Sequence, residues 1–117
     1  MKLILKEWSN SYANTVDDLE RLGNKILSVR KSSNQGHTIT YRHFALTKRP
    51  RKGDLVEFAD YLPFNRWVRR RGIVTGTEND YWCVKDWVGI KNTIVSIGMV
   101  TKIIKEQLIP IKLFKYM

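Results

Sequence analysis

Trp67-Val68-Arg69-Arg70-Arg71-Gly72-Ile73-Val74-Thr75 is the stretch on which the fold turns. Its residues are mainly aromatic, β-branched or arginine, and no helical repeat runs through them. On an extended chain Trp67, Arg69, Arg71 and Ile73 share one face, and Val68, Arg70, Gly72 and Val74 share the other. The stretch reads as a strand that sets an indole beside two guanidinium groups. Working outward, residues 55–58 read as the preceding strand, reached through a basic loop punctuated by Pro50 and Gly53, with a connection over 60–65. Downstream, 76–80 is a turn, 81–88 a strand and 89–92 a second turn. Residues 94–104 are a strand bent at Gly98, and 108–116 add one more in which Pro110 forces an edge or a bend. Residues 37–46, rich in Thr, Ile, Tyr and Phe, extend the pattern upstream, with Ile39, Tyr41 and His43 on one face.

Only the first part of the chain changes period. After a short strand over 3–8, Val16, Leu19, Leu22, Ile26 and Val29 recur at spacings of three and four, which predicts one amphipathic helix. Thr15 is its expected N-cap, and Asp17, Asp18 and Glu20 suit the positive end of the dipole. Lys25, Arg30 and Lys31 suit the other end, and the breakers of 32–36 stop the helix. Short strands with turn signals every roughly eight to twelve residues point to a small barrel or sandwich. The expected fold is therefore α+β: one N-terminal helix packed on a small, mostly antiparallel, five- or six-stranded barrel. A chain of 117 residues reads as a single domain, 1–117, with a seam at 32–36 between a strand-plus-helix segment, 1–36, and a β-rich segment, 37–117.

Charge is the unusual property. The net charge is +10, from 21 Lys and Arg against 11 Asp and Glu. Residues 1–41 carry six basic and four acidic side chains, as do residues 72–117; residues 42–71 carry nine and three, a net +6. Seven of the nine arginines fall in that middle segment. A purely solubilising charge gives no reason to prefer Arg to Lys, whereas the planar guanidinium fork suits phosphate. The candidate nucleic-acid-binding residues are Lys48, Arg49, Arg51, Lys52, Arg66, Trp67, Arg69, Arg70 and Arg71. The bland alternative is a solvated basic flank on a strand whose Trp67 is core.

Three short stretches carry a family resemblance: Lys52-Gly53-Asp54-Leu55-Val56-Glu57-Phe58, Arg70-Arg71-Gly72-Ile73-Val74-Thr75-Gly76 and Tyr81-Trp82-Cys83-Val84. Over about residues 50–104 the chain resembles Src-homology-3-like barrels of the KOW/Tudor kind. Gly53 permits the sharp turn, Asp54 bonds turn amides, and Gly72 allows bending. The resemblance implies that barrel and, by analogy, nucleic-acid or protein binding. The same stretch is similar to the MazF-type endoribonuclease toxins, with Gly72 standing where their Arg-Arg-Pro pattern has proline. That resemblance implies a phosphate-stabilising role for Arg71, with Thr75 or Thr77 as a hydroxyl.

Other chemistry is sparse. His37 and His43, six apart, share a strand face and could form an acid–base pair, or else belong to an amphipathic strand. One cysteine, Cys83, allows no internal disulfide, and with two histidines no zinc pattern can be written. A helix N-terminus accounts for Asp17, Asp18 and Glu20 without a metal, and no cofactor motif occurs. Trp82 and Trp87 fall on opposite strand faces, so one of them is a candidate outward ring. The apolar run 3–5 is far short of a signal peptide core, and no span is long enough for a membrane. A cytoplasmic, non-catalytic nucleic-acid-binding module, a regulatory or accessory factor of bacterial or phage origin, is the leading expectation. The alternatives are a module docking on an acidic protein surface and a MazF-like endoribonuclease.

Overall fold

In the computed structural model, which describes residues 1–32, 35–62, 66–78, 81–86 and 92–110, the first strand, β1 (Ile4–Ser9), alternates strictly between exposed and buried positions. Leu5, Glu7 and Ser9 turn inward, and Ile4, Lys6 and Trp8 turn outward. Helix α1 (Tyr12–Arg21) follows, then β2 (Lys25–Lys31) and β3 (His37–Arg42). β3 lies between β1 and β2 and is antiparallel to both. The helix packs on β2 and β3, where Leu19, Ile39, Tyr41 and Leu5 are fully buried.

The helix is shorter than its apolar spacing predicts. Ser11, not Thr15, is its N-cap. Thr15 sits in the second turn, with its hydroxyl 2.8 Å from that of Ser9. The helix stops because Gly23 takes φ +101°, which a residue with a side chain adopts only at a cost. The Gly23 amide bonds to the Glu20 carbonyl (2.9 Å) and the Asn24 amide to that of Leu19 (3.1 Å), the two bonds of a Schellman motif. Ile26 and Val29 therefore belong to β2. Their helical spacing has another origin: a bulge at Leu27 puts residues three apart on one side, so Ile26 faces Tyr41 and Val29 faces Ile39. Asp17, Asp18 and Glu20 lie in the second half of the helix, so the dipole does not account for them. Asp17 instead pairs with Arg21 at 3.0 Å. Burial, the largest influence, raises the Asp18 carboxyl above its ordinary value; Arg21 lowers it and Asp17 raises it.

The other face of this sheet carries the residues that alternate with the buried ones. Rows cross it as Trp8–Thr38–Arg30, Lys6–Thr40–Ser28 and Ile4–Arg42–Lys25. The stretch 32–36, expected as the seam, instead joins β2 to β3, and the Ser32 amide donates to the Gly36 carbonyl at 2.9 Å. The chain divides into Met1–Lys48 and Arg49–Met117, and β3 belongs to the first unit. The helix accordingly packs on a three-stranded sheet of its own unit.

The second unit is a five-stranded antiparallel sheet in the order β7-β6-β5-β4-β8. Its strands are β4 (Leu55–Leu62), β5 (Arg66–Glu78), β6 (Tyr81–Asp86), β7 (Asn92–Ser96) and β8 (Val100–Lys105). The bend expected at Gly98 is a 3-10 turn, Ile97–Met99, which separates β7 from β8. Four strands meander and the fifth returns to pair with the first. Val56, Phe58, Val74, Val95, Ile97 and Val100 are among its buried apolar residues. Residues 108 and 109 form a bend rather than a strand, and residues 111–116 of the strand expected over 108–116 lie outside the described residues. So do Trp87, the turns at 79–80 and 87–91, and the side chains of Trp82 and Cys83, leaving the choice of outward ring there as well.

Candidate nucleic-acid interface

The turn that launches β4 is built from its own polar groups. Gly53 has φ +94°, and Asp54 accepts from the Arg51 amide through Oδ2 (2.9 Å) and from the Gln107 amide through Oδ1 (2.8 Å). Gln107 Nε2 donates to the Lys52 carbonyl at 2.7 Å. Arg51 and Lys52 thus have a fixed backbone and exposed side chains. Lys48 and Arg49, also exposed, fall on either side of the division between the units.

β5 presents its residues as the alternation requires. The register sets Arg71 opposite Glu57, Arg69 opposite Ala59 and Trp67 opposite Tyr61, so Arg71, Arg69 and Trp67 share one face. Arg70 faces Phe58 on the opposite, core side and donates to Asp60 Oδ2 at 2.9 Å, each side chain about a quarter exposed (27% and 25%). Arg66, exposed, falls on the Arg70 side. Of the three consecutive arginines, Arg69 and Arg71 make the outward pair, and Arg70 is a structural partner of a carboxylate.

Two cations outside the basic middle segment join the outward face. β8 pairs Lys102 with Glu57 and Lys105 with Leu55. Residues three apart on a regular strand face opposite ways; here the register shifts between Leu55 and Val56, and the extra residue of β8, Ile104, brings both lysines to one side. Only the pairing of β4 with β8 reveals this, and nothing local in the sequence signals it. At the centre Glu57 is 8% exposed. Its Oε1 lies 2.8 Å from the Thr101 hydroxyl and 4.0 Å from Arg69 Nε, and its Oε2 lies 3.9 Å from Lys102 Nζ. The two longer separations exceed hydrogen-bond length, so they steer the cations without holding them. Arg69 and Lys102 stay 79% and 60% exposed, and Trp67 is half-buried.

No family model, curated protein or solved structure matches this chain.

The other candidate centres resolve into structure. His43 is fully buried, and its Nδ1 accepts the amides of Ala45 (2.9 Å) and Leu46 (2.8 Å). It anchors the turn after β3. His37 lies against the Tyr12 ring, with centroids 4.1 Å apart. Among the described residues no group of three or more metal-ligating side chains forms, and no helix is long and apolar enough to cross a membrane.

Proposed function

We propose that the protein is a nucleic-acid-binding module and that the second unit is a Src-homology-3-like barrel presenting the binding face. The barrel is supported by the return of β8 to β4 across a 3-10 turn. The binding is supported above all by one observation: exposed Arg69 and Arg71 from β5 and Lys102 and Lys105 from β8 flank a single carboxylate, Glu57, with the Trp67 indole on the same face. An excess of cations attracts phosphate, and an aromatic ring among them adds a surface on which a base can stack. Phosphates meet the cations on the two strands that flank β4, and the Arg51–Lys52 turn adds further exposed cations.

The test is a titration of labelled DNA and RNA over a range of salt concentrations. Arg69→Gln with Arg71→Gln should lower affinity and reduce the salt slope by roughly 1.4 to 1.8, since each phosphate no longer neutralised accounts for about 0.7 to 0.9. Arg70→Gln is the internal control: it loosens the Asp60 pair and leaves the slope unchanged. A folded double variant that binds as wild type would end the proposal, as would a wild type that binds neither polymer at about 100 μM, the weak end of non-specific affinity.

A further inference from the structure

We propose that the open face of the first unit's sheet is a second binding surface, made for a single strand of nucleic acid, on which Trp8 stacks a base and Lys6, Lys25, Arg30 and Arg42 take phosphates. None of these residues lies on β4, β5 or β8, so the inference stands or falls independently of the face proposed above.

Charge segregation is the first observation. The four acids of the first 41 residues are Glu7, Asp17, Asp18 and Glu20. Glu7 is on the buried side of β1, with the Tyr41 hydroxyl donating to it at 3.3 Å, and the other three are on the helix. The open face therefore has four exposed cations and not one carboxylate in its three rows. A segment with only a small linear excess of positive charge becomes one-sided when folded.

The second observation concerns the ring. Trp8 is 45% exposed at one edge of this face's upper row, and its indole is fixed from behind. Its Nε1 donates to Ser32 Oγ at 3.0 Å, and a Cβ placed on Gly36 would overlap the ring's Nε1 edge. Glycine thus lets the backbone at position 36 lie directly against the indole. A ring held this way offers a preorganised platform, which suits a nucleobase and is of no use to a protein carboxylate. From the Trp8 row to the Ile4–Arg42–Lys25 row is four residues of β1, ~14 Å of strand, which spans roughly four phosphates of a stacked strand and fewer once its bases are unstacked. Bases must be unstacked to lie on Trp8, so a single strand fits and a duplex does not.

Fluorescence anisotropy with labelled oligothymidylate and with a duplex of equal length tests this on the full chain. The wild type should prefer the single strand. Trp8→Ala should weaken single-strand binding on the order of tenfold with little change in salt slope. Lys6→Gln, Arg30→Gln and Arg42→Gln together should lower the slope by roughly 2, at about 0.7 for each phosphate, and this triple variant leaves the core untouched if Trp8→Ala disturbs the link from β2 to β3. Binding kept by the Arg69/Arg71 variant and lost in the Trp8 and triple variants sustains this inference while overturning the other; the reverse pattern overturns this one. Equal displacement of the oligomer by polyglutamate and by unlabelled oligothymidylate, with Trp8→Ala at wild-type affinity, would mark an acidic-protein surface and overturn it too.

Discussion

The two sheets of this protein arrange positive charge in opposite ways. On the second unit the cations flank a buried carboxylate, and Arg69 and Lys102 lie 3.9 to 4.0 Å from the Glu57 oxygens. On the first unit the acids have been moved to the far side, under or onto the helix, and the rows that hold the cations contain no carboxylate. The first arrangement trades attraction for positioning. The second keeps the attraction and assigns positioning to a ring braced by Gly36 and Ser32. Net charge alone does not distinguish them.

The largest expected effect breaks the comparison by removing one side of it. Leu19, on the sheet-facing side of α1, is fully buried, so Leu19→Asp should cost several kcal/mol, because an unpaired charge has no partner there. Thermal unfolding followed by circular dichroism measures it, and the Trp8 contribution to single-strand binding should vanish with the sheet. A wild-type melting temperature would mean that the helix does not cover this sheet. A smaller effect sharpens the contrast from the other side. Glu57→Gln keeps an acceptor for the Thr101 hydroxyl and deletes the counter-charge, making the second face resemble the first. Affinity for nucleic acid should rise a few-fold at low salt and converge with wild type as screening grows. An unchanged or lower affinity would show that Glu57 matters by placing Arg69 and Lys102 rather than by offsetting them.

The smallest effect concerns Asp18, whose carboxyl is raised chiefly by burial. A raised folded-state value means that the ionised form is disfavoured on folding, so Asp18 lowers stability above its folded pKa and the penalty fades as pH falls through the carboxylate range. Asp18→Asn should gain a few tenths of a kcal/mol at pH 7, the scale expected at a site that is only partly buried. Denaturant titrations at neutral and acid pH should show that gain disappearing below about pH 3.5. A gain that persisted in acid would be packing rather than charge.

The parts legible in the sequence are those written by local chemistry. Gly53 and Asp54 announce their turn, the alternation through Arg69–Arg71 assigns faces, and Gly98 marks the break between β7 and β8. The parts that were not legible depend on pairing. Gly23 ends the helix, yet the spacing of Leu22, Ile26 and Val29 masks it, because a bulged strand reproduces a helical repeat over three residues. Lys102 and Lys105 join the outward face through a bulge of the same kind. The division at Lys48–Arg49 and the one-sided charge of the first sheet emerge only when β3 is known to lie between β1 and β2.

The bulge at Leu27 also says what the gene can lose. Ile26 pairs with Tyr41 and Ser28 with Thr40, so Leu27 has no opposite number on β3. Deleting that one codon would leave a plain ladder with every cross-strand partner kept, whereas deleting one from the middle of β3 would reverse the faces of all that follows. Length variation in this sheet should therefore collect at position 27, and a chain lacking it would display to the eye the alternation that this one conceals.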